Sequence, residues 1–243
     1  MKKLLIILIL GFSLFVFHKA DAAIGFDSAA SSTGSGVSSL TFSHTSTGSN
    51  LILIVNFWLD EAFGDAGASV TYNSVSMTEA GHSGLGGIAN QYIFYLVAPD
   101  TGAHNVVISL NAAKDIEAGS ITYTGAKQTG QFDAIEEHSQ AGPTTGTWTE
   151  DVTTVADNSW HIFSGFVGGT HVIGSGGSVK RSSQSRAWFG DSNQDETPAG
   201  TKTTTWDNNG TNNFHRGFEF SIAPAAAAAG VTIPIISPII LFE

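Results

Sequence analysis

The chain has 243 residues, 21 acidic and ten basic side chains, a formal net charge of −11 and no cysteine. The charge argues against a nucleic-acid partner and against anionic membrane surfaces, because binding to phosphate groups depends on Lys and Arg. The lack of cysteine excludes disulfides, thiolate nucleophiles, Cys-ligated zinc and iron–sulfur clusters.

The N-terminus has the three parts of a secretory signal peptide. Lys2 and Lys3 precede an apolar run from Leu4 to Phe17, and Ala20-Asp21-Ala22 places small residues at a cleavage site. A retained membrane anchor is the alternative, but the run is shorter than the ~20 residues of a spanning helix. We expect a signal-peptide helix over residues 1–22, cleavage after Ala22, and a secreted or cell-surface protein with no stable membrane anchor.

Between residues 24 and 223 the sequence predicts strands. Short runs rich in Val, Ile, Thr, Tyr and Phe are separated by Gly, Asn, Asp and Ser at intervals of roughly ten residues. In chain order the runs are SSLTFSH (38–44), LILIVNFWL (51–59), SVTYNSVSMT (69–78), QYIFYLV (91–97), HNVVISL (104–110), GSITYTG (119–125), SWHIFSGFV (159–167) and HRGFEFSIAP (215–224).

Three of these runs predict more than an isolated strand. The run at 51–59 is apolar throughout, which is typical of a central strand covered on both faces. The run at 69–78 predicts a hairpin turning at Asn73-Ser74, since Asn tolerates the positive φ that such a turn needs. The run at 215–224 alternates and predicts a face in water that carries Glu219 and Ser221.

The predicted fold is therefore all-β: a single two-sheet antiparallel β-sandwich, jelly-roll-like, with about a dozen strands. It occupies residues 23–224 as one domain. Residues 225–243 form an Ala-rich linker and an apolar tail, which Pro234 and Pro238 keep from being helical. The tail has three interpretations: an edge strand folded back on the sandwich, a strand (Val231–Phe242) that pairs with a neighbouring copy or another protein, or a sorting signal.

Three motifs follow one another along the predicted domain. They are T-Y-x-S-x-x-M-T at 71–78, Y-L-x-x-P-x-x-G at 95–102 and Y-x-G-x-x-Q-T at 123–129. In order and spacing they resemble a widespread β-sandwich module of secreted bacterial and phage-encoded proteins, over about residues 26–223. The resemblance implies the fold and no catalytic set. The chain departs from it at Ser74, where the hairpin usually has glycine.

Three carboxylates lie close together after the last of these motifs, at Asp133, Glu136 and Glu137. A glycosidase needs two carboxyl groups ~5–9 Å apart. Neighbouring residues of a strand point to opposite faces, so Glu136 and Glu137 cannot form that pair. We interpret residues 123–129 as the corner where one strand ends, with Gly125 and Gly130 giving the backbone the freedom to turn, and the acidic stretch as the strand that follows. Because G-x-S-x-G and H-E-x-x-H are also absent, we expect no enzymatic activity.

The segment DSNQDE (191–196) is the best candidate for a metal site. Asp191, Asn193 and Asp195 alternate like the first three ligands of a calcium loop, but Lys202 occupies the position of the bidentate Glu. A helix–loop–helix site is excluded. A looser calcium site that includes Asp207 is one hypothesis, and a solvated loop without a cofactor is the other.

Three tryptophans lie in segments rich in Thr, Ser and Asn. Aromatic rings beside amide and guanidinium groups stack on sugars and bind their hydroxyls, so the predicted ligand-binding residues are Trp148, Arg186, Trp188, Trp206 and Asn208. Each tryptophan has the alternative of filling the core at the end of a strand.

The function that we predict is that of an exported, non-catalytic surface or binding module whose partner is a glycan or another surface polymer. A structural subunit that associates with itself through Val231–Phe242 is the first alternative. An enzyme acting on polysaccharide is the second.

Overall fold

The structure, a computed structural model, contains strands and no helix among the residues that it describes. These are residues 22–60, 66–85, 89–130, 132–144, 147–167, 172–175, 179–183, 187–207 and 213–226. Within them, no helix is long and apolar enough to cross a membrane. The predicted signal peptide up to residue 21 and the tail from residue 227 lie outside the described residues. The predicted all-β class is confirmed.

The described strands all belong to one compact unit, Ala22–Ala225. In chain order they are β1 (Gly25–Ser46), β2 (Ile52–Leu59), β3 (Ser69–Tyr72), β4 (Val75–Ser76), β5 (Thr78–Leu85), β6 (Ala89–Val97), β7 (Gly102–Thr124), β8 (Phe132–Thr144), β9 (Thr147–Thr153), β10 (Trp160–Val167), β11 (Val172–Ser175), β12 (Val179–Ser183), β13 (Ala187–Asp191), β14 (Thr201–Asp207) and β15 (Asn213–Ile222).

These strands pair antiparallel in three sheets. The first has seven strands in the order β4-β3-β7-β2-β6-β5, with β1 also paired to β7. The second has five, in the order β12-β13-β10-β15-β8, and the third has three, in the order β11-β14-β9. The first two sheets pack face to face across a shared core, which confirms the predicted antiparallel β-sandwich.

Strand β2 is buried on both faces, as its apolar sequence predicts, and each face contributes to a different core. Leu53 and Phe57 belong to one core together with Val70 of β3. β3 pairs with the first half of β7, whereas β2 pairs with its second half. The seven-stranded sheet therefore curls around a core of its own. Ile52 packs against the five-stranded sheet in a second core, where Phe220 of β15 belongs to the same cluster.

The three-stranded sheet covers the outer face of the five-stranded sheet. Phe218 and Phe220 face the second core, so Glu219 and Ser221 point the opposite way. Thr204 of β14 donates a hydrogen bond from Oγ1 to Glu219 Oε2 (3.2 Å), and both Glu219 and Ser221 are buried. The prediction that this face of β15 is in water is wrong, because a further sheet packs on it.

The predicted strands at 104–110 and 119–125 are one strand, β7, and the prediction of two is wrong. β1 pairs with β7 from Gly25 to Ser46, and the register passes over residues 110–113 of β7 at an irregularity. β3 pairs with the first half of β7 and β2 with the second half. A bulge thus accommodates a polar stretch that resembles a turn in the sequence.

Both predicted turns are confirmed. Asn73 and Ser74 have φ values of 47° and 65° and connect β3 to β4. Gly125 follows β7 with a φ of 69°, and a Cβ atom there would lie 2.0 Å from the carbonyl oxygen of Ala23. Glycine is required at this corner because the backbone both adopts a left-handed conformation and approaches another segment closely.

Candidate functional site

Asp133 holds a loop of the fold. Its Oδ2 atom accepts hydrogen bonds from the backbone N–H groups of Val155 (2.5 Å) and Ala156 (2.9 Å) and from Ser159 Oγ (3.2 Å). These three donors lie in the loop just before β10. Hydrogen bonds to a charged carboxylate are stronger than those between neutral groups. Asp133 therefore has a structural role, because it binds this loop to β8.

Glu136 and Glu137 lie on opposite faces of β8, as predicted. In the register of β8 with β15, Glu136 is opposite Glu219 and Glu137 is opposite Phe218. Glu136 is exposed. Glu137 Oε1 accepts a hydrogen bond from Arg216 Nη1 at 3.0 Å. The two adjacent carboxylates therefore face different surroundings.

Two acids of the predicted calcium loop bind aromatic residues of the second core. Tyr123 donates its hydroxyl to Asp191 Oδ2 (2.9 Å), and Asn193 donates its backbone N–H to Asp191 Oδ1 (2.9 Å). Trp160 donates Nε1–H to Asp195 Oδ1 (2.9 Å). In the described parts of the chain, no three His, Asp or Glu side chains are grouped so that they could hold a metal ion. The calcium site stays a prediction.

The predicted aromatic residues Trp148 and Trp206 occupy directly opposite positions on β9 and β14. By strand alternation these positions share the face of the three-stranded sheet that carries Glu150 and Thr204, which are both buried. The side chains of residues 148 and 206 lie outside what the structure describes. Their stacking on a sugar remains a prediction.

The other predicted positions belong to β13 or β14 or follow or precede these strands in the sequence. Trp188 is opposite Gly165 in the pairing of β13 with β10, and its side chain lies outside the described part. Arg186 and Asn208 fall in the gaps of the described chain. Asp207, the fourth predicted calcium ligand, is the last residue of β14 and is opposite residue 147 of β9. The structure does not test whether these residues meet.

A shallow polar recess opens beside the β3–β4 turn, and the sequence did not predict it. Its volume is about 320 Å³. The residues that line it come from β3, from the turn and from the beginning of β7: Thr71, Asn73, Ser74, Ala103, His104, Asn105 and Val107. The two stretches are about 30 residues apart in the sequence, and the pairing of β3 with β7 brings them together.

Hydrogen bonds fix the walls of this recess. Asn73 donates Nδ2–H to Asp100 Oδ2 (2.8 Å), which ties the turn to the corner before β7. His104 Nε2 lies 3.1 Å from the carbonyl oxygen of Thr101. Because a carbonyl oxygen only accepts, Nε2 carries a hydrogen and donates it to this oxygen. The ring also lies edge-on to Tyr72, with centroids 5.6 Å apart.

His44 lies inside the first sheet among hydroxyl groups. Its Nε2 atom is 2.6 Å from Thr122 Oγ1 and 3.1 Å from Ser28 Oγ, and its Nδ1 atom is 2.8 Å from Ser120 Oγ. Burial lowers the pKa of His44 to about 4, against a smaller opposing effect of the Asp27 carboxylate. The neutral imidazole is therefore the stable form at pH 7.

His161 lies between the second and third sheets and binds a carboxylate. Its Nε2 atom is 2.6 Å from Glu219 Oε2, and both side chains are 1% exposed. Thr204 Oγ1 donates to the same carboxylate oxygen, whereas Glu219 Oε1 is buried without a hydrogen-bond partner among the described residues. The sequence could not indicate this pair, because Glu219 alternates with apolar residues as a water-facing acid would.

The comparisons with known proteins add no relative: no protein-family model, curated protein or solved structure matches the chain.

Proposed function

We propose that this protein is an exported, non-catalytic β-sandwich module that binds a glycan or a similar polyhydroxylated surface polymer. The observation that carries the proposal is the use of its carboxylates. Asp133, Glu137, Asp191 and Asp195 all accept hydrogen bonds from groups of the fold. Catalysis of glycoside hydrolysis needs a pair of carboxyls that face the substrate, and these four serve turns and strand contacts instead.

The exposed face of the three-stranded sheet supports a polyhydroxylated partner. Thr149, Asp151 and Thr153 of β9 and Thr201 and Thr203 of β14 are exposed. Thr203 donates to Asp151 at 2.5 Å, and the hydroxyls of Thr153 and Thr201 are 3.3 Å apart. Hydroxyl groups both donate and accept hydrogen bonds, as the hydroxyls of a sugar require of their partners.

The test is a binding screen combined with an activity assay on the exported protein. We expect binding to immobilised oligosaccharides and no release of reducing ends from polysaccharides. The Asp133→Asn and Glu136→Gln variants should leave both results unchanged. Release of reducing ends that disappears in Glu136→Gln would show an enzyme and would contradict the proposal.

The tryptophan prediction is tested in the same screen. If Trp188 and Trp206 stack on the sugar, Trp188→Ala and Trp206→Ala should each weaken binding, since each substitution removes the large apolar surface of the indole ring. Full retention of affinity in both variants would remove these residues from the binding site and leave the glycan proposal in place.

A further inference from the structure

The recess beside the β3–β4 turn is built before any ligand arrives. The turn that forms one wall holds two consecutive residues, Asn73 and Ser74, at positive φ, and Asp100 binds the side chain of the first. Tyr72 lies behind the recess and donates its hydroxyl to the carbonyl oxygen of Gly102 (3.1 Å). A site whose walls are already ordered loses little conformational entropy when it binds.

The chemistry of the lining is that of an uncharged polar site. Thr71 and Ser74 contribute hydroxyls, Asn73 and Asn105 contribute amides, and His104 presents an imidazole. Amides and hydroxyls supply donors and acceptors side by side, and the imidazole of His104 adds a second ring nitrogen besides the one that faces Thr101. Among the described residues that line the recess there is no Lys and no Arg.

Charge decides which sugars this lining favours. A carboxylate or sulfate on a sugar is normally bound by Arg or Lys, and the described part of the lining contains neither. The carboxylate of Asp100 stands at its edge, and the whole chain has a net charge of −11. An acidic sugar would therefore meet repulsion without a compensating ion pair. The volume of about 320 Å³ lies near the lower end of the ~300–1,000 Å³ typical of small-molecule sites.

We infer that this recess is a glycan subsite of the protein, in addition to the exposed face of the three-stranded sheet, and that it takes a neutral sugar. The inference rests on the proposed function and adds the residues and the class of sugar. Asn105 and Asn73 are the specificity-determining residues, because they carry the exposed amides on the strand wall and on the turn wall.

The experiment compares three variants of the full exported protein. Asn105→Ala removes one amide, and Asn73→Gly removes the other while a residue suited to positive φ stays in the turn. Asn111→Ala is the matched control, since Asn111 is also an exposed asparagine of β7 and does not line the recess. The probes are gluco- and N-acetylglucosamine oligosaccharides as neutral sugars and galacturonate oligosaccharides as acidic ones, and thermal unfolding checks that each variant is folded.

We expect the wild type to bind a neutral probe and not the galacturonate probe. Asn105→Ala and Asn73→Gly should each weaken binding at least tenfold, about 1.4 kcal/mol, and Asn111→Ala should bind like the wild type. If the wild type binds neutral sugars and neither recess variant changes this binding, the recess is not a glycan subsite, and the proposed function stands. Preference for galacturonate would overturn the inferred class of sugar. Absence of binding to every oligosaccharide would overturn the proposed function as well.

Discussion

His44 and His161 are equally buried, each with 1% exposure, but the protein accommodates them in opposite ways. Hydroxyl groups surround both ring nitrogens of His44. Hydroxyls rotate, so they donate to one nitrogen and accept from the other, and a neutral ring is fully satisfied. His161 instead binds the carboxylate of Glu219, a group that can only accept, and one oxygen of that carboxylate has no hydrogen-bond partner in the described structure.

The difference shows two ways of stabilising a buried histidine. One uses several neutral hydroxyl groups, and the other relies mainly on one carboxylate. The hydroxyl cluster shares its hydrogen bonds over several neutral groups, so the loss of one leaves others. The His161–Glu219 pair concentrates its stabilisation in one contact between ionisable groups, and removal of His161 leaves the Glu219 carboxyl group buried with Thr204 as its single hydrogen-bond donor among the described residues. The two sites should therefore respond differently to substitution.

The largest effect should come from breaking the carboxylate pair. His161→Leu leaves Glu219 buried with Thr204 as its remaining donor, and we expect a loss of about 3–5 kcal/mol in the free energy of unfolding. The double variant His161→Leu/Glu219→Leu replaces both partners by apolar residues and should recover most of that loss. Denaturant unfolding of both variants measures the two values.

Glu137 provides the control for this prediction. It lies on the neighbouring strand β8 with a side chain that is 46% exposed, and it pairs with Arg216. Because water screens that pair, Glu137→Gln should change the free energy of unfolding by less than about 1 kcal/mol. A His161→Leu variant no less stable than Glu137→Gln would mean that burial does not distinguish the two carboxylates.

The next effect is the pH dependence that His44 imposes. The pKa of His44 is about 4 in the folded state and 6.5 as the ordinary value, so the unfolded chain takes up the proton first. The effect of His44 on the free energy of unfolding is absent above pH 6.5. As the pH falls from 6.5 to 4, this effect lowers the free energy of unfolding, and below pH 4 it changes no further. The contribution is about 3 kcal/mol.

The His44→Gln variant checks this slope, because glutamine does not titrate. We expect it to lose less stability than the wild type between pH 6.5 and 4, although it is less stable at pH 7. An NMR titration of the folded wild type gives a direct measurement: the His44 ring should stay neutral until about pH 4. A ring that becomes charged near pH 6.5 would refute the role of burial.

The smallest effect compares single hydroxyls in the two sites. Thr204→Val removes a donor to the Glu219 carboxylate and should cost about 1.5–3 kcal/mol, as for hydrogen bonds to charged groups. Thr122→Val removes a hydroxyl near His44, where Ser28 reaches the same nitrogen, and should cost about 0.5–1.5 kcal/mol. Thermal and denaturant unfolding measure the loss of stability in each variant. A larger loss in Thr122→Val than in Thr204→Val would contradict the proposed difference between the two sites.

Local patterns in the sequence predicted the elements that depend on local physics. The continuous apolar run of β2, the turn at Asn73-Ser74 and the corner at Gly125 all follow from side-chain polarity or allowed φ values, and all three are confirmed. The first half of β1 was not predicted as a strand, because its Ser, Gly and Ala residues have low β propensity. Pairing with β7 along its length overrides that propensity.

The sequence by itself determined that this protein is all-β, that β2 is buried on both faces and where its sharpest turns lie. Only the tertiary structure decided that Glu219 is buried, that β7 is continuous, and that Asn73 and Asn105 line one recess. The physical reason is that alternation and turn chemistry act over a few neighbouring residues. Which sheet covers a polar face, and which distant strands meet, depends on packing between segments that the local pattern does not encode.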